Sequence, residues 1–164
     1  MSVQAINIQT HTYTPVQPQQ VVQMPNAQRN YCLFDQKRVD YFVSQKEQAL
    51  PYIKQVLATS QNEAQIIEAL YITDRMIDSG IKGIPAMYPV LARFNDTNSQ
   101  NIQSFLAGIY RKTQVPDAFG PLVKMLVKNS NNQAPTPANE EIGGAILEYI
   151  RNYSNNPKQI DYSA

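Results

Sequence analysis

The sequence has no tryptophan, one cysteine, one histidine and six glycines in 164 residues. Each scarcity removes a class of chemistry. Cys32 alone can form neither an internal disulfide nor a thiolate metal cage, so the chain fits a reducing compartment and a cytoplasmic location is expected. His11 alone, in a stretch too poor in large hydrophobes to fold, leaves no Ser-His-Asp or Cys-His arrangement on a rigid scaffold. Gly80-Ile81-Lys82-Gly83 matches neither the P-loop nor the dinucleotide fingerprint, so nucleotide binding has no support. Charge is also scarce, at 16% of residues against roughly 25% in an average soluble protein. Lys and Arg number 14 against 13 Asp and Glu, a net charge of +1 that steers the chain toward neither nucleic acid nor an anionic membrane. The N-terminus lacks the basic and apolar regions of a signal peptide, and no stretch approaches the roughly 20 apolar residues of a membrane span.

What remains is organised by position. Residues 1–30 are rich in Gln, Thr and Pro, including Pro15-Val16-Gln17-Pro18-Gln19-Gln20, and bury too little apolar area to offset their ordering entropy; they read as a disordered tail. Residues 154–164 read as a second, flexible tail. Between them, across 34–153, apolar residues recur at three- and four-residue intervals with no alternating β-branched run, which predicts an all-α domain. A first helix is predicted from Phe34 to Gln45, with Phe34, Val39, Phe42 and Val43 on one face.

A pattern then returns three times. Pro51 with Ile53, Val56 and Leu57 is echoed by Pro85 with Met87, Val90 and Leu91, and by Pro121 with Val123, Leu126 and Val127, each proline suited to the first turn of a helix. Polar turns follow at Thr59 to Asn62, Asn95 to Ser99 and Asn129 to Asn139. Second helices then align at Ile66, Ile102 and Ile142, at Ala69, Phe105 and Ala145, and at Leu70, Leu106 and Ile146, intervals of 36 and then 40 residues. Asp78-Ser79-Gly80 and Thr113-Gln114-Val115-Pro116 supply the stop signals of the first two. Each hairpin has an apolar face that only a stacked neighbour can cover, so the predicted Phe34 helix caps one end and the partly polar last helix, with Glu140, Glu141, Glu148 and Arg151, caps the other.

The stretch Pro89-Val90-Leu91-Ala92-Arg93-Phe94-Asn95-Asp96 through Asn101-Ile102-Gln103-Ser104-Phe105-Leu106-Ala107 resembles the HEAT repeat, and the likeness extends from about Leu50 to Tyr153. The family's basic slot on the second helix holds Ile67, Gln103 and Gly143, and its turn aspartate appears only as Asp96, with Thr59 and Asn129 elsewhere, so its Asp–Arg ladder is absent. The resemblance implies a right-handed α-α superhelix of about three HEAT-like hairpins, second helices lining the inner groove, and work as a protein-binding scaffold. That function is carried by analogy with the fold.

The intervals that align the hydrophobes also align Arg75, Arg111 and Arg151. An arginine column in a stack suits bidentate contact with carboxylates or phosphates, and arginines near helix ends also serve the macrodipole. These three, with Ser104 and Glu68 on the second helices, form the candidate site for an acidic peptide or helix of a protein partner. The alternative is a nucleic-acid-binding HEAT-like domain using the column and Lys112 on phosphates. No catalytic residue, cofactor or metal ligand is assigned. Cys32 is expected to pack as a structural thiol, Asp74 with Asp78 and Glu140 with Glu141 to be solvated surface, and Gly143 with Gly144 to permit close helix approach.

Overall fold

In the computed structural model the described residues are 34–131 and 136–155, and among them every regular element is helical. The expected tail at 1–30, with His11, lies outside them, as do Cys32 and residues 156–164 of the expected tail at 154–164, whereas the first two residues of that tail, Ser154 and Asn155, belong to the last helix. The elements are α1 (Gln36–Ser44), α2 (Leu50–Thr59), α3 (Glu63–Asp78), α4 (Tyr88–Leu91), α5 (Gln100–Thr113), α6 (Phe119–Ser130) and α7 (Ala138–Asn155). Short 3₁₀ turns occupy Lys46–Ala49, Pro85–Met87, Ala92–Phe94 and Pro116–Ala118. Two compact units meet in sequence between Lys82 and Gly83.

In the first unit α3 packs against α1 and α2. The first helix begins two residues later than its hydrophobic pattern suggests, because Asp35 caps it by accepting from the backbone N–H groups of Lys37 (3.0 Å) and Arg38 (3.4 Å). Phe34, left outside, stacks on Tyr71 with ring centroids 4.7 Å apart. Every residue of α3 from Ile66 to Thr73 is buried, so this helix is the centre of the unit. Asn62 caps it and Gly80, at φ 78°, ends it: the N–H of Gly80 bonds the carbonyl of Ile77 (2.9 Å) and that of Ile81 bonds the carbonyl of Met76 (3.0 Å). Truncating a fully buried side chain here, such as Leu70, costs about 2–5 kcal/mol.

In the second unit α7 packs on both α5 and α6. The helix expected from Pro85 is broken into a 3₁₀ turn, the four-residue α4 and another 3₁₀ turn. Pro89 is the physical cause: a helix continuous from Pro85 would need an N–H at residue 89 to bond the Pro85 carbonyl, and proline has none, so α4 starts afresh with Pro89 in its first turn. The expected register of α6 is also corrected. Val123 and Val127, expected inside, are exposed, while Leu122 and Met125 are buried. Pro121 is not the first residue of this helix but the third, after a 3₁₀ turn that begins at Pro116, and it is tolerated because the first turn has no i→i−4 donors to lose. The first helices align instead on buried Ala49, Ile53 and Val56, then Met87, Leu91 and Phe94, then Ala118, Leu122 and Met125, each set entered through a 3₁₀ turn. On the second helices most expected positions hold: Ile66, Ile102 and Ile142 are buried, as are Ala69, Phe105 and Ala145, and Leu70 and Leu106, while Ile146 is only half-buried.

The turn expected from Asn129 begins later, because α6 continues through Ser130 and buries Asn129. There Asn129 and Gln103 exchange amide bonds, Asn129 Nδ2 donating to Gln103 Oε1 at 2.8 Å and Gln103 Nε2 to Asn129 Oδ1 at 3.3 Å. Gln103 also donates to the carbonyl of Thr97 (3.0 Å) and Asn129 to Asn139 Oδ1 (2.9 Å). The slots at which the resemblance would place an arginine and an aspartate thus hold two amides that bond across successive hairpins. Being neutral, they avoid the desolvation cost of a buried ion pair.

Candidate partner-binding site

The residues singled out from the sequence lie in different environments. Glu68 is 4% exposed in α3, and its Oε2 stands 2.9 Å from Arg38 Nε on α1. Beside this pair the Tyr52 hydroxyl is buried and finds no partner of hydrogen-bond geometry among the described residues. Burial pushes its pKa up, with Glu68 adding to the rise and Arg38 opposing it. Gln65, which accepts from Ser60 Oγ at 2.6 Å, lines the same place. Glu68 is therefore held inside the first unit as half of a buried ion pair. Arg38, its counter-ion, is not legible in the sequence, because a single arginine on a short first helix carries no pattern.

Arg75 falls in the last turn of α3 and its Nη1 reaches Asp40 Oδ1 on α1 at 3.2 Å. The Tyr71 hydroxyl, and behind it the Asp40 carboxylate, raise the pKa of its guanidinium. The Asp40 carboxylate is 56% exposed, so this pair contributes at most about 1 kcal/mol.

In the second unit Arg111 is exposed in the last turn of α5, and Arg151 is exposed one turn before the end of α7. Arg151 Nη1 reaches Glu148 Oε1 at 2.7 Å. The helix ends that carry the two are joined by a chain of bonds. Gln114 adopts φ 54° to cap α5, donates its side-chain amide to the Arg111 carbonyl (2.9 Å) and accepts from Asn152 Nδ2 (2.6 Å). The two arginines thus flank one joint between α5 and α7. Ser104 sits half-buried in the middle of α5.

No family model, curated protein or solved structure matches this chain.

The surface carries a feature that hydrophobic spacing did not single out. Among the described residues the exposed large hydrophobic side chains are Val123 and Val127 on α6 and Leu147, Ile150 and Tyr153 on α7, the last two helices of the second unit. A correct start for α6 would have exposed the valines on a helical wheel, and Leu147 already lies opposite Ile142, Ala145 and Tyr149 on α7. The glycines of α7 also differ from expectation. A Cβ added at Gly143 or Gly144 would meet nothing within 4 Å, so neither serves a close helix approach among the described residues. No group of three His, Cys, Asp or Glu side chains gathers among the described residues, and no helix among them is long and apolar enough to cross a membrane.

Proposed function

We propose that this chain is a non-enzymatic, cytoplasmic scaffold or adaptor whose helix hairpins follow one another as HEAT-like repeats in a right-handed superhelix, and that it binds a protein partner. The observation that carries the reading is that the exposed large hydrophobic side chains among the described residues, Val123, Val127, Leu147, Ile150 and Tyr153, all lie on α6 or α7. Exposed apolar side chains confined to two packed helices of an otherwise amide-rich surface suit protein contact. Arg111 and Arg151, near the ends of α5 and α7, supply donors for acidic residues at the rim of such a contact. Arg75 is engaged by Asp40 and contributes less. The alternative, phosphate binding through the arginines and Lys112, is weakened by the low net charge of +1 and by the acidic partners of Arg75 and Arg151.

The test uses the full chain as bait in quantitative affinity purification beside Val127→Asp, Leu147→Asp and an Arg75→Ala/Arg111→Ala/Arg151→Ala variant. Loss of the same proteins from the aspartate variants, with helicity intact, supports the reading. Binding to random duplex DNA that weakens steeply with salt and disappears in the arginine variant would replace it with the nucleic-acid alternative.

A further inference from the structure

The outward face of α7 carries an ordered row of charged, small and apolar residues. Glu140, Gly144, Leu147 and Arg151 are all exposed, opposite the buried Ile142, Ala145 and Tyr149. Their spacing of four, three and four residues keeps them in one row along the helix. The order along the row is acid, glycine, leucine, base. Laid antiparallel on itself about a two-fold axis, the row sets each Glu140 against the Arg151 of the other copy and each Leu147 against the other Gly144. A large side chain then meets a small one, and a negative charge meets a positive one, twice per pair. Space for the leucine exists, since nothing lies within 4 Å of a Cβ built at Gly144. Leu147 is 60% exposed and Ile150 beside it 49%, which is the apolar area such a contact would remove from water. Arg151 already reaches Glu148 in its own chain, and its remaining guanidinium N–H groups are available for a second carboxylate.

We propose that this face of α7 is the interface of a symmetric, antiparallel homodimer. The proposal rests on the reading that the exposed apolar side chains of the second unit bind protein, and names the partner for the share of them on α7. Isologous pairing requires a self-complementary patch, and this row meets that requirement in both size and charge. A partner of strongly acidic character would leave Glu140 and Glu148 opposed by like charge. One helix pair buries less than the about 1,200–2,000 Å² of a standard interface, so the dimer is weak and its population depends on concentration.

Sedimentation equilibrium of the full chain, from low micromolar to near-millimolar concentration, tests the proposal. The wild type is expected to pass from monomer to dimer. Leu147→Asp and Gly144→Leu are expected to remain monomeric, the second because its new side chain fills the place the opposite leucine would take. Glu140→Arg and Arg151→Glu are each expected to weaken association about tenfold or more, and the double variant Glu140→Arg/Arg151→Glu to recover it, because the swapped charges again face opposites. Circular dichroism establishes that each variant keeps its helices. A chain that stays monomeric throughout overturns the proposal, and so does a double variant that associates no better than the single ones. If self-association is absent while the aspartate variants still lose a captured protein, the dimer is wrong and the protein-binding reading stands. If neither effect is seen, both are wrong.

Discussion

Replacing Gln103 with Met tests the buried amide pair of the second unit with little change in side-chain volume. The substitution removes three bonds, the 2.8 Å and 3.3 Å contacts with Asn129 and the 3.0 Å bond to the Thr97 carbonyl. Two of the abandoned groups keep other partners: Lys128 Nζ still donates to the Thr97 carbonyl at 3.1 Å, and Asn129 still donates to Asn139 at 2.9 Å. Asn129 Oδ1 keeps none among the bonds described and is left at a residue 4% exposed. A net loss of about 1 kcal/mol for each good bond, with a stranded acceptor added, gives a cost of about 2–4 kcal/mol. The assay is urea denaturation of the full chain followed by far-UV circular dichroism, read in the transition that Ile109→Ala also moves, since Ile109 lies in the core of the same unit. A double variant, Gln103→Met/Asn129→Leu, removes the stranded acceptor with its partner, so its cost is less than the sum of the single ones. A Gln103→Met chain within about 0.5 kcal/mol of wild type, or strict additivity in the cycle, would refute the claim that these amides bind successive hairpins together.

Further outcomes follow from other residues. Arg38→Met leaves Glu68 buried without its counter-ion and costs about 3–5 kcal/mol, whereas Asp40→Ala, which removes the exposed partner of Arg75, costs less than about 1 kcal/mol; denaturant titration separates the two. Gly80→Ala, at φ 78°, destabilises by about 1–2 kcal/mol, while Gly144→Ala, measured at high dilution, stabilises by up to about 1 kcal/mol because a methyl there meets nothing. Burial, with Tyr88 and then Tyr149 adding to it, holds the Tyr110 phenol well above the ordinary tyrosine range, so above about pH 10 the unfolded chain loses a proton that the folded chain keeps. Stability is therefore full below that pH and falls as pH rises beyond it. Tyr110→Phe flattens this alkaline limb in a pH series of denaturation midpoints, while losing the 2.7 Å bond to Asn95.

The second helices were legible in the sequence and the first helices only in part. In α3, α5 and α7 the buried positions recur with helical spacing and without interruption, so hydrophobic period alone located Ile66, Ile102 and Ile142. In the first helices proline misled the register. Pro51 and Pro89 stand second in their helices and Pro121 third, while Pro85 and Pro116 open 3₁₀ turns, and all of these positions lack an intrahelical donor for proline to remove. One type of residue thus occupied several kinds of position, and aligning on it displaced α6. Asn129 reads as a turn residue in the sequence because a buried amide is indistinguishable there from a solvated one until its partner, Gln103, is known. Arg75, Arg111 and Arg151 share a sequence register, but the groups around them differ: Asp40 and Tyr71 for the first, the capping Gln114 for the second, Glu148 for the third. Those neighbours are set by packing that periodicity does not encode.

Hydrogen–deuterium exchange of the full chain, resolved by peptide and repeated at low and high protein concentration, tests the central claim most directly. Buried second helices that hold each hairpin together predict the slowest exchange in α3, α5 and α7, faster exchange in the broken segment Pro85 to Phe94, and added protection between Glu140 and Arg151 when the concentration rises. Exchange in α3, α5 and α7 as fast as in Pro85 to Phe94 would contradict the account.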